Sequence, residues 1–121
     1  MRMKDDLTTI SLLKNKVKKF CKEREWDKFH TAKDLAIGIV TEASELLEIF
    51  RFKNKDDEIK IMLQKREKVE EELADILYFI LRFSEKYDID LSSALIKKLE
   101  INEKRYPVEK SKGVNKKYDE L

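Results

Sequence analysis

Apolar residues along this chain recur at the three-and-four spacing of a helix face, and no stretch alternates as a half-buried strand would. Ile10, Leu13, Val17 and Phe20 predict a first helix from about Leu7 to Arg24, with Asp5 or Asp6 as its cap. The pattern breaks in "EREWDKFHTAK". Thr31, with Asp34 three residues on, then has the spacing of a capping box and predicts a second helix running to about Phe50. After "RFKNKDD", the positions Met62, Val69, Leu73, Ile76, Ile80 and Phe83 predict a long third helix from about Asp57 to Lys86, with a kink or break near Gln64. Asp90 caps a predicted fourth helix through about Lys104, which Pro107 stops. Two Gly and one Pro leave little material for tight turns, so the expected class is all-α, a four-helix bundle. Residues 1–107 read as one domain, and "VEKSKGVNKKYDEL", residues 108–121, as a polar, mobile tail.

The second helix places acids where its own periodicity calls for apolar side chains. With Leu35 as the origin of a helical wheel, Ile49, Leu46, Ile39 and Phe50 fall at roughly 320°, 20°, 40° and 60°, and Glu42 falls among them at roughly 340°. Glu45, at about 280°, borders the stripe, and Glu48, at about 220°, turns toward solvent. The third helix repeats the arrangement: Glu72 lies between Phe79 and Phe83 on the same projection, and Asp75 sits near the edge. Each pair, Glu42/Glu45 and Glu72/Asp75, has the i, i+3 spacing that brings two carboxylates to one helix face. If the two helices pack together, four acids converge. An ionised carboxylate in a dry interior is costly unless a cation compensates it, and a set of oxygen ligands suits Mg²⁺ or Mn²⁺.

A lone ExxE arises readily on a solvated face when 43% of residues are charged. Two such pairs, each entering an apolar stripe, are much harder to explain that way. A di-iron bundle would require a Glu-x-x-His motif on two helices, and none occurs here. The fourth helix adds cations at its inner edge. On a wheel that starts from Leu91, Lys98, Asn102 and Arg105 fall within the same arc as Leu95 and Leu99 or just beside it. Singly these are side chains snorkelling over a core; beside a carboxylate-bound metal they form a cradle for phosphates.

Composition narrows the setting. The 27 Lys and Arg nearly balance 25 Asp and Glu, and a net charge of +2 gives no reason to expect a nucleic acid or a membrane as partner. One Cys excludes an intramolecular disulfide, and with one His it cannot supply an ordinary zinc ligand set. The N-terminus has no signal-peptide pattern and no apolar stretch is long enough for a membrane-spanning helix, so a cytoplasmic location is expected. At 121 residues a monomer would expose much apolar surface, so assembly as a homodimer or homotetramer is expected.

Together, "TEASELLEIFRFK", "EELADILYFI" and "KLEINEKRYP" resemble, in order and separation, the ExxE, ExxD and K-x-x-x-N-x-x-R-Y-P segments of the MazG-like, all-α nucleoside triphosphate pyrophosphohydrolases, including the small dCTP pyrophosphatase type. The resemblance spans about Leu12 to Pro107. It implies a nucleoside triphosphate substrate cut to a monophosphate and pyrophosphate, as in the removal of unwanted nucleotides. It implies Mg²⁺ held by Glu42, Glu45, Glu72 and Asp75. Glu45, or Glu48 one helical step beyond the ligands, is then placed to orient the attacking water as base. Lys98, Asn102 and Arg105 are implied on the phosphate side, Trp26 and His30 near the base, and Lys53 as a further substrate-binding residue. The chain departs from the dCTP type at Phe52, where those enzymes have Trp before the Lys, and at Phe79, where they often have Tyr. Two other readings of the same residues are a phosphoribosyl-ATP pyrophosphohydrolase, which shares the acid pattern, and a non-catalytic helical oligomerisation module whose acids form interhelical ion pairs.

Overall fold

The computed structural model describes residues 3–121, and among them every regular element is helical: α1 (Ile10–Glu23), α2 (Ala32–Phe50), α3 (Lys55–Gln64), α4 (Arg66–Lys86), α5 (Leu91–Arg105) and α6 (Val108–Ser111), with 3-10 turns at Asp27–Phe29 and Tyr118–Glu120. The all-α expectation holds, but the elements differ from the predicted four. The first helix starts later than Leu7. Thr9 is its cap, its side chain accepting from the Leu12 amide at 3.1 Å, and Leu7 lies exposed in a preceding turn. A cap works where the apolar face begins, and here that face begins at Ile10. The capping box of α2 forms as its spacing predicts, Thr31 and Asp34 each satisfying the other's backbone amide. The long third helix is two, broken at Lys65 near the expected Gln64. Asn54 and Asp57 build a second capping box that starts α3. Among the described residues, no helix is long and apolar enough to cross a membrane.

The chain forms two compact units, Met1–Asp88 and Ile89–Leu121. In the first, α4 packs along both α1 and α2, with α3 against the start of α4. Its core is small: Cys21, Leu35, Ile61, Val69 and Leu81 are buried, along with the polar side chains Glu72, Arg82 and Ser84. Cys21 has no exposed surface, and its Sγ lies 3.1 Å from the Tyr78 hydroxyl of α4. Helix α1 ends in a Schellman motif: the Trp26 amide donates to the Cys21 carbonyl and the Glu25 amide to that of Lys22, with Glu25 at φ 54 where glycine is usual. In the second unit, Asp90 caps α5 as expected, accepting from the Ser93 amide at 2.8 Å. The Arg105 guanidinium there stands 4.7 Å over the Tyr118 ring.

The backbone of α2 approaches α4 closely at Gly38. A Cβ there would lie 2.5 Å from Phe79 Cδ1 and Cε1. Alanine in place of a mid-helix glycine ordinarily stabilises by about 1 kcal/mol. At this position the clash reverses the sign: Gly38→Ala is expected to destabilise by about 1–3 kcal/mol in denaturant titration, and a second change, Phe79→Leu, to recover part of the loss.

Candidate active site

Helices α2 and α4 carry the acids, and their packing decides which carboxylates meet. One oxygen from each of Glu42, Glu45 and Glu72 lies within 4.8 Å of the other two. Glu72 is buried at 3% exposure, Glu42 is half-buried, and Glu45 is exposed at the rim. One carboxylate oxygen of Glu42 and one of Glu72 are buried without a hydrogen-bond partner. An orphaned anionic oxygen beside two other carboxylates is the donor set that a hard divalent cation satisfies, so the residues fit Mg²⁺ or Mn²⁺. Asp75, the fourth predicted ligand, lies outside this triad and is exposed one turn beyond Glu72, yet close enough for its charge to act on Glu42.

The electrostatics follow from the crowding. Burial lifts the Glu42 carboxyl from 4.5 to about 6, aided by a hydrogen bond with Glu45 and by the negative charges of Glu45, Asp75 and Glu72. Glu72 moves the other way: Lys68 Nζ, one turn earlier on α4, reaches its Oε1 at 2.9 Å and lowers its pKa despite the burial. One acid of the cluster therefore holds its proton more tightly than usual and its neighbour less tightly.

A groove beside the triad is lined by Glu45, Glu48, Ile49 and Glu72 with Lys53, Lys65 and Lys68. The sequence singles out Lys53 but neither Lys65 nor Lys68. The i, i+4 spacing of Lys68 to Glu72 is the available signal, and the break between α3 and α4 is what turns Lys65 toward the same groove. Glu48 is exposed and pairs with Arg51 at 3.5 Å. Trp26 packs edge-on against Phe20 at 5.6 Å and His30 at 6.1 Å between ring centroids. His30 is half-buried and accepts a hydrogen bond from Arg82. Lys98, Asn102 and Arg105 all stand on α5, in the second unit, with Asn102 half-buried and the two cations exposed.

The chain matches the MazG-like family over residues 37–121 and belongs to that family. Among curated proteins it is similar to dCTP pyrophosphatase 1 of Rattus norvegicus, 35% identical over 104 residues covering 84% of this chain and 61% of that protein. The Homo sapiens protein of the same name is 33% identical over the same shares. The chain thus spans about three fifths of the length of these relatives. Among solved structures, a pyrophosphatase from Archaeoglobus fulgidus DSM 4304 superposes with a TM-score of 0.79 at 34% identity, covering 88% of this chain and 99% of that one.

The raised Glu42 pKa carries a sign that can be measured. A carboxyl whose folded pKa exceeds its unfolded value contributes stability that is complete below pH 4.5 and lost as the pH rises through about 6. Replacing Glu42 with Gln removes that contribution. In metal-free buffer, the thermal midpoint of Glu42→Gln is therefore expected to gain on the wild type between pH 4.5 and pH ~7, as measured by calorimetry across that range. Parallel midpoints for the two proteins would contradict the crowding of these acids.

Proposed function

We propose that this protein is a metal-dependent nucleotide pyrophosphohydrolase that cleaves a nucleoside or deoxynucleoside triphosphate to its monophosphate and pyrophosphate. The observation that carries the proposal is the convergence of Glu42, Glu45 and Glu72 from α2 and α4, with orphaned buried oxygens on Glu42 and Glu72 beside a lysine-lined groove. The similarity to dCTP pyrophosphatases and to the archaeal pyrophosphatase supports it. In this reading Glu42, Glu45 and Glu72 hold Mg²⁺ or Mn²⁺, with Asp75 completing the set once the ion draws it in. The bound ion supplies neutralisation of the triphosphate and acidification of water. Glu48, outside the triad but lining the same groove, orients the attacking water as base. Lys53, Lys65 and Lys68 neutralise phosphate oxygens, and Lys98, Asn102 and Arg105 are proposed as phosphate-binding residues on their match to the family's K-x-x-x-N-x-x-R-Y-P segment. Trp26 and His30 meet the base. The setting is the cytoplasm, in keeping with a single, reduced, buried thiol, and the role is removal of unwanted nucleotides by the segment 1–107.

We further propose that the working form is a homodimer or homotetramer. Large apolar side chains remain exposed on the outer faces of α2 and α4, among them Val40, Leu47, Leu73 and Leu77, and a second copy of the chain would cover them.

Hydrolysis in ¹⁸O-labelled water is expected to yield monophosphate and intact pyrophosphate only when a divalent cation is present. The label should enter the monophosphate, since the proposed reaction has water attack the α-phosphorus with intact pyrophosphate as the leaving group. The double variant Glu42→Gln/Glu72→Gln is expected to lose turnover by about 10³-fold or more while remaining folded. Orthophosphate as the primary product, or substantial turnover by the double variant, would overturn the proposal. For the assembly, light scattering is expected to give at least twice the monomer mass, with Val40→Asp shifting it toward the monomer.

A further inference from the structure

Outside the acid cluster, the most unusual burial in the molecule is that of Arg82 on α4, a guanidinium with 2% of its surface exposed. A buried charge is retained only where several partners satisfy it. Here all three of its nitrogens are used. One terminal nitrogen donates to Glu85 on the same helix and the other to Asp27. Its Nε donates to Nδ1 of His30 at 2.9 Å. Lys86, one turn further along α4, donates to the carbonyls of Asp27, at 2.7 Å, and His30. Two cations of α4 thus clamp both ends of residues 27–30, the 3-10 turn and the residue after it, within the α1–α2 connection. The connection has no side-chain cap of its own at the 3-10 turn and no buried residue within that turn.

The donor pattern fixes the chemistry of His30. Guanidinium nitrogens donate and cannot accept, so Nδ1 of His30 must be bare, and a neutral ring carries its proton on Nε2. We propose that Arg82 is a positioning residue for nucleobase recognition, locking His30 as a neutral Nε2–H donor that offers its hydrogen to a carbonyl oxygen or bare ring nitrogen of the base. This rests on the reading of Trp26 and His30 as the base-facing residues. Freed of the clamp, the imidazole would take either tautomer and rotate, and Trp26, packed edge-on against it at 6.1 Å, would lose one of its two aromatic neighbours. A hydrophobic residue at position 82 would serve a purely structural need at lower cost, since it would bury no charge. The charges facing the ring are mixed: burial, Arg82 and Lys86 disfavour the imidazolium, while Asp27 and Asp34 favour it, and the sum lowers its pKa from 6.5.

His30 is the one histidine of the chain, so a single pair of imidazole nitrogens appears in the spectrum of protein labelled with ¹⁵N-histidine. The wild type is expected to show a bare Nδ1 and a protonated Nε2, with a titration midpoint below the ordinary imidazole value. Arg82→Lys keeps the charge but has no fork with which to hold Asp27, Glu85 and His30 together. It is expected to mix the tautomers, to return the midpoint toward 6.5 and to raise KM for the triphosphate about tenfold with kcat within about twofold, the loss of one hydrogen bond to the base. A protonated Nδ1 in the wild type would overturn the proposal whether or not the variant folds. So would a folded Arg82→Lys protein with unchanged KM. If the wild type hydrolyses no triphosphate at all, the pyrophosphohydrolase reading fails and base recognition with it, while the spectrum still decides the tautomer lock.

Discussion

Holding Glu72 inside the first unit, and Glu42 half inside it, opposes folding, because carboxylates leave water only at a cost and two of them brought close repel. The rest of the unit accommodates that constraint. Helix α4 is anchored on both sides, by α1 through Cys21 and Tyr78 and by α2 through the glycine contact at Phe79, so the acids cannot relieve their repulsion by moving apart. Relief comes instead by chemistry: Glu42 holds its proton to higher pH, and Glu72 takes a lysine as its counter-charge. A site strained in this way is ready for a cation, since binding one removes the repulsion that the apolar core otherwise has to oppose.

The same helix therefore has two polar ends with different work. Near its start, Lys68 and Glu72 belong to the groove of acids and lysines. Near its end, Arg82, Glu85 and Lys86 hold the α1–α2 connection in place. Between them the apolar residues of α4 pack against α1 and α2. In the proposed reading, chemistry at one end and recognition at the other are separated by a rigid rod about 15 Å long, since each helical residue rises about 1.5 Å.

Much of this is legible in the sequence, for physical reasons that can be named. The acids Glu42 and Glu72 stand out because each breaks a hydrophobic stripe, and stripes are a property of local spacing. The capping box at Thr31 and the cap at Asp90 are likewise local, and both form. The start of α1 is harder to place because Asp5, Asp6 and Thr9 are all good caps within one turn of one another, and local spacing does not choose between them. Lys68 escapes notice because an i, i+4 lysine beside an acid is common on a solvated helix, and Lys65 because nothing local says that the break between α3 and α4 turns it toward the acids. Arg82 is invisible as a buried residue. Its partners Asp27 and His30 lie far away along the chain, and no periodicity links them.

Cys21 lies with no surface exposed, on the α1 side of the α1–α4 contact, against the hydroxyl of Tyr78. A thiol reagent added to the native protein can reach it only when α1 and α4 separate, so the rate of labelling counts those openings one by one. Because the chain has a single cysteine, that count is free of background from any other thiol. The molecule carries a built-in gauge of its own breathing, readable by mass alone, and one that would register tightening of the helix pair when a ligand is bound.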